Sequence, residues 1–149
     1  MLKTSLIHPD ILRALGRAGH GSQILIADGN YPAGTTLGPN AELVSLNLAP
    51  GIVTATQVLE AVAQAVPVEA AAVMQTVKDG PYALAEPPPI WAEFSAILAA
   101  AGFSGELEAI ERFAFYQAGR APEVALTVAT AEQRIYANIL LTIGVVKPD

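Results

Sequence analysis

The 149-residue sequence contains no cysteine. Disulfides, thiolate nucleophiles and Cys-based zinc sites are therefore excluded, and the absence fits a reducing cytoplasm. Histidine is scarce: there are two, and no His-Glu-x-x-His helix makes them ligands of a catalytic zinc. Positive charge is scarce too, with 8 Lys and Arg against 14 Asp and Glu, a net charge of −6 and no run of cations. Nucleic acid and anionic membrane surfaces need clustered cations, so neither is an expected partner. No G-x-G-x-x-G or G-x-x-x-x-G-K-[ST] pattern occurs, and the signatures of dinucleotide and P-loop phosphate sites are missing with it. The Gly-x-Ser-x-Gly elbow of many hydrolases is also absent. The opening residues lack the apolar core of a signal peptide. Weakly polar stretches such as Val66 to Met74 fall far short of the roughly 20 residues that span a bilayer. Metal-free acid/base chemistry, or plain binding of a small molecule, is what remains for a cytoplasmic protein.

Apolar residues make up 52% of the chain and its mean hydropathy is +0.42, which excludes a disordered chain. The length predicts one domain, residues 1–149. Charged residues are 15% of the sequence, against roughly 25% in an ordinary soluble domain. Too few charges are present to keep a lone globule of this size wet. Part of the surface is therefore expected to be buried against other copies of the chain.

Pro9 suits the first turn of a helix, with His8 near its cap, and Ile11, Leu12, Leu15 and Ala18 recur at helical spacing up to Gly19. Gln23 to Ala27 is short, apolar and flanked by turn residues, as a buried strand would be. Further strands are predicted over 42–48, 68–75, 106–110, 123–130 and 138–146. Helices are predicted from the Thr54 cap to Val66, from Pro89 to Ala101, and over 112–120. Strands interleaved with helices predict an α/β domain, a central mixed sheet with helices on its faces.

Several residues could carry chemistry. His20 lies between two glycines, which leaves its imidazole approachable, or else it is part of a helix-ending turn. Asp28 ends the first strand, where α/β sheets tend to bind small ligands, though Asp28-Gly29 also reads as an ordinary turn. At about 3.3 Å per residue an extended strand holds His20 and Asp28 some 20 Å or more apart. Bringing them to one ligand requires a bend at Gly21-Ser22 or a second subunit. Tyr136-Ala137-Asn138 offers a phenol and a carboxamide that suit a polyhydroxylated ligand, or a strand end and its turn. Arg112-Phe113-Ala114-Phe115-Tyr116 joins a cation to three aromatics, either a sugar-stacking face or core with a surface arginine.

The order and spacing of these segments resemble the fucose mutarotase and ribose pyranase family over nearly the whole length. The matching features are Met1-Leu2-Lys3-Thr4, Gly19-His20-Gly21, the strand to Asp28 followed by Tyr31-Pro32, and Pro67-Val68-Glu69. They continue with Arg112 to Tyr116, then Tyr136-Ala137-Asn138-Ile139-Leu140-Leu141 and Gly144-Val145. The resemblance implies an α/β fold built into closed homo-oligomeric rings, often decamers, with a free monosaccharide held between neighbouring subunits and no cofactor or metal. It implies His20 as the catalytic acid/base and Asp28, Arg112, Tyr116, Tyr136, Ala137 and Asn138 as sugar-binding residues. The activity implied is that of a sugar isomerase, a mutarotase acting on L-fucose or a related sugar. D-ribose pyranase activity, or sugar binding without catalysis, is the alternative. The Arg112 to Tyr116 segment is similar to the fucose branch, and the ribose branch has a histidine near the position of Tyr116. Asp28-Gly29-Asn30-Tyr31 departs from the fucose branch, which has a histidine close after the aspartate, and Ala49 to Glu69 is closer to the ribose branch.

Overall fold

Pro9 opens α1 (Pro9–Arg17), and His8 is its cap: the imidazole Nδ1 accepts from the Ile11 N–H at 3.5 Å. The computed structural model describes residues 1–148. From α1 the chain runs through β1 (Gln23–Ala27), β2 (Glu42–Ser45), α2 (Ala55–Ala63), β3 (Val68–Met74) and α3 (Pro89–Ala100). It continues through β4 (Leu107–Ile110), α4 (Arg112–Gly119), β5 (Val124–Ala129) and β6 (Ile139–Ile143). A reciprocal capping box, Thr54 with Gln57, starts α2. The helix ends at Ala63 rather than Val66. Its last turn tightens, with the Ala65 and Val66 N–H groups both donating to the Val62 carbonyl, ahead of Pro67 and its restriction on the preceding residue. Strand β2 is shorter than its alternating pattern implied, because Asn47 to Gly51 turn back through a Leu48 N–H···O Ile52 bond of 2.9 Å. Strand β6 stops before Gly144: its N–H still donates to the Pro67 carbonyl opposite it at 2.8 Å, but Pro67 has no N–H to return.

The strands form one mixed sheet in the order β2-β5-β1-β6-β3-β4. β1, β2 and β5 are mutually parallel, as are β3 and β4, while β6 runs antiparallel to both β1 and β3. Five strands therefore point the same way and β6 points the other. The C-terminal ends of β1, β3, β4 and β5 share one edge of the sheet with the start of β6.

Alternation sends Ile24, Ile26, Leu126, Val128, Ile139 and Leu141 to one face, under α1, α2 and α3. Phe94, Leu98, Ile90 and Leu59 from the helices are fully buried there. Each such side chain contributes about 1.5–3 kcal/mol relative to exposure. The opposite face is smaller: Leu25, Val124, Leu140 and Met74 meet Phe115 of α4 and Tyr31 of the loop after β1. Among the described residues no helix is long and apolar enough to cross a membrane.

Candidate active site

Because β6 opposes the other strands, residues distant in sequence arrive at one sheet edge. Asp28 follows β1, Met74 ends β3, Arg112 opens α4 two residues beyond β4, and Tyr136 and Asn138 precede β6. They line a cleft of about 260 Å³ together with Asn30, Tyr31, Tyr82, Tyr116 and Ile135. Openings of this kind at strand ends are where α/β sheets place small ligands.

Asp28 is the buried centre of the cleft. Its backbone N–H donates to Asn138 Oδ1 at 2.8 Å, and Asn138 Nδ2 donates back to Asp28 Oδ2 at 3.0 Å. The Ala137 N–H reaches the same oxygen at 3.2 Å, and the Asn30 N–H donates to Oδ1 at 2.9 Å. Burial pushes the Asp28 carboxyl up from its ordinary value, and the Asn30, Ala137 and Asn138 donors pull it back. A carboxylate accepts about four hydrogen bonds, so these three donors leave room for a ligand hydroxyl. Ala137 is fully buried and enters the site through its N–H.

Tyr136 has a φ of 57°, the left-handed region. Three hydrogen bonds hold it there. Its hydroxyl donates to the Tyr82 carbonyl at 2.8 Å and accepts from the Val77 N–H at 3.3 Å, while its own carbonyl accepts from Trp91 Nε1 at 3.0 Å. The turn before it is pinned as well. Glu132, almost fully buried, accepts from the Arg134 N–H and Nε through Oε1 and from a terminal guanidinium nitrogen through Oε2. The other terminal nitrogen donates to Glu93 of α3 at 2.7 Å. These bonds to Arg134 hold the Glu132 carboxyl below its ordinary value against the opposing effect of burial.

The third wall comes from α4. Glu111 caps this helix, accepting from the Phe113 and Ala114 N–H groups at 2.8 and 3.0 Å. Arg112 sits in the first turn with its guanidinium 5.9 Å from the Tyr116 ring centroid, and it makes no ion pair among the described residues. Arg112, the Tyr116 and Tyr82 phenols and the Asn30 amide are thus the polar side chains left to meet a ligand, with the remaining acceptor capacity of Asp28. The apolar part of the wall is Met74, Ile135 and the ring of Tyr31.

His20 is elsewhere. It precedes β1, at the opposite edge of the sheet, with Gly21 in the left-handed region at φ 81°. Its Nε2 lies 3.0 and 3.1 Å from the two carboxylate oxygens of Glu69, at the start of β3. The His20 side chain is 60% exposed. One chain therefore joins Asp28, Arg112, Tyr116, Tyr136, Ala137 and Asn138 in or directly behind the cleft and leaves His20 apart. Straight β1 accounts for the separation, as its spacing implied.

Sequence reasoning did not single out Asn30, Tyr31, Met74, Tyr82 and Ile135 as lining residues, nor Glu69 as the partner of His20. Asn30, two residues past a strand-end carboxylate, carried a usable signal. Met74 and Ile135 carried none, because an apolar residue at a strand end looks like core. Trp91 of α3 packs against the core and donates its indole N–H to the backbone of Tyr136, and nothing in the sequence marked it for the site.

The family model described as RbsD / FucU transport protein family matches residues 1–146. The chain is 40% identical over 149 residues to the fucose mutarotase of Homo sapiens, covering 95% of this chain and 90% of that protein. It is 30% identical over 146 residues to the D-ribose pyranase of Paracidovorax citrulli, covering 97% and 98%. Its fold superposes on the fucose mutarotase of Streptococcus pneumoniae crystallised in complex with L-fucose, with a TM-score of 0.83, 26% identity, and 99% and 100% of the two chains covered.

Proposed function

Since the chain belongs to the RbsD / FucU family, we propose that it is a monosaccharide mutarotase, an isomerase that interconverts the anomers of free L-fucose. The observation that carries this reading is the cleft itself: a buried, raised carboxyl, an unpaired arginine, a phenol and a carboxamide facing one apolar wall. That combination fits a ligand with several hydroxyls and one apolar patch. The methyl group of a 6-deoxy sugar matches Met74 and Ile135, and the human relative named for fucose is more similar than the one named for ribose.

Mutarotation breaks the bond between the anomeric carbon and the ring oxygen, then remakes it on the other face. A proton goes to the ring oxygen as the bond breaks, and the anomeric hydroxyl gives one up, leaving an open-chain aldehyde. Rotation about the adjacent carbon–carbon bond and the reverse transfers give the other anomer. An imidazole, with a reference pKa of about 6.5, exchanges protons in both directions near neutrality. His20 takes this role from a neighbouring copy, because its own cleft is at the far end of β1. Glu69 orients that imidazole by its hydrogen bond. Asp28 and Arg112 hold hydroxyls, and Tyr116 is the second proton carrier.

Two observations support a shared site. Tyr82, which lines the cleft, and Phe113, beside Arg112, are 60% and 69% exposed, and charge over the whole chain is low. A closed ring, a decamer in the cytoplasm, satisfies both, with no cofactor required. Saturation-transfer NMR across L-fucose, D-ribose and related sugars tests the reading. His20→Ala should lose the roughly 10²–10⁴-fold that a positioned acid/base contributes while the assembly stays intact by sedimentation. Full activity in that variant removes His20 from the mechanism. Sugar binding without exchange in the unmodified protein identifies a non-catalytic sugar-binding module instead, and exchange confined to D-ribose identifies a pyranase.

A further inference from the structure

Gly119, the last residue of α4, is buried, and a β-carbon placed on it would overlap the Tyr31 hydroxyl oxygen and crowd Leu25 Cδ2 at 3.2 Å. Helix propensity favours alanine over glycine by about 0.5–1 kcal/mol, so the glycine is not explained by the helix. Packing explains it. The missing side chain leaves a notch under α4, and the Tyr31 hydroxyl fills it. That hydroxyl is fully buried and makes no well-formed hydrogen bond. The notch fixes how deep the phenol sits and therefore where the ring stands. The ring is edge-on to Phe115 at 6.4 Å and tilted against Tyr116 at 5.5 Å, and Tyr116 in turn lies under Arg112 at 5.9 Å.

We propose that Gly119 is a positioning residue of the cleft: by admitting the Tyr31 hydroxyl, it sets the distance of Tyr116 and Arg112 from Asp28 across the site. It acts through Tyr31 and touches no ligand. Its consequence for sugar affinity rests on the function proposed above; its consequence for cleft geometry does not.

Gly119→Ala, Tyr31→Phe and the double variant test it with two readouts. The first is independent of sugar. Met74 is one of two methionines, the other being the exposed Met1, so the ¹³C-methyl signal of Met74 reports the cleft alone. Gly119→Ala should shift that signal, and adding Tyr31→Phe, which removes the clashing oxygen, should return it toward its original position. The second readout is anomer exchange. Gly119→Ala should lower kcat/KM by about tenfold, within the up to 10²-fold that an ångström of misplacement costs, with KM raised through Arg112 and kcat lowered through Tyr116. The double variant should recover most of both. Tyr31→Phe alone should leave the melting temperature little changed, since the buried hydroxyl it deletes makes no well-formed hydrogen bond. An unshifted Met74 signal in Gly119→Ala, a double variant no better than Gly119→Ala, or a large drop in melting temperature for Tyr31→Phe overturns the proposal. If Gly119→Ala fails to fold, the double variant decides: a folded chain with the original Met74 signal supports the notch, and a second failure refutes it. If the unmodified protein exchanges no sugar, the functional reading falls and the Met74 signal still judges the notch.

Discussion

Asn138→Asp changes one atom of the Asp28–Asn138 pair. The substituted carboxyl keeps an Oδ1 to accept from the Asp28 N–H, but it puts an oxygen where Nδ2 stood, 3.0 Å from Asp28 Oδ2. Two buried carboxyl oxygens so close cannot both be charged, and the folded pair keeps one proton between them. In the unfolded chain the new aspartate ionises near its reference value of about 3.9. The folded pKa is thus raised, so the contribution is intact below the unfolded value and is lost as pH rises towards the folded one. Each pH unit inside that window costs about 1.4 kcal/mol. Between about pH 4.5 and about pH 7.5 the variant should therefore lose up to about 4 kcal/mol relative to the native sequence. Domains of this kind hold about 5–15 kcal/mol in total, so the variant approaches unfolding at the upper pH. Urea denaturation of both chains across this range measures it. Asp28 already titrates high in the native sequence, so the readout is the gap between the chains. A gap that stays constant with pH would refute the reasoning.

The ion pair behind Tyr136 behaves oppositely. Arg134→Ala leaves the buried Glu132 carboxylate without its guanidinium and should cost about 3 kcal/mol at neutral pH, the lower end of what breaking a buried pair costs, because Arg134 is partly exposed. The folded Glu132 pKa is lowered, so its contribution is present above the ordinary value of 4.5 and lost as pH falls through the folded one. Denaturation curves should show the gap between Arg134→Ala and the native chain narrowing on acidification, and a gap that widens would show that the pair is not its source. Glu69→Gln should give an exchange rate between those of the unmodified protein and His20→Ala, with KM little changed. A rate equal to the unmodified one by saturation-transfer NMR would show that Glu69 does not orient the imidazole.

Much of the fold was legible because its signals are local. Pro9, Thr54 and Pro89 mark helix starts, and short apolar runs mark the strands. Boundaries failed where a partner distant in sequence decided them, as when β6 ends opposite Pro67, which has no N–H to give. The sheet order was not legible, since alternation says which face a residue takes and nothing about its neighbouring strand. The same gap limits the site. Asp28, Arg112 and Asn138 are recognisable as chemistry-bearing residues, but their meeting depends on the reversed direction of β6. The hydroxyl of Tyr136 looks like a ligand-binding group in the sequence, yet it is committed to the backbone of Tyr82 and Val77.

The place of β6 also bears on how the molecule comes into being. Of the six described strands, the last to be made sits inside the sheet, and without it β2-β5-β1 and β3-β4 share no ladder. During synthesis the earlier strands emerge as two separate leaves, each with an unpaired inner border. Their joining waits for β6 to leave the ribosome. The segment that completes the sheet is also the one that carries Asn138 to Asp28, so a truncated or half-folded chain holds no partial pocket.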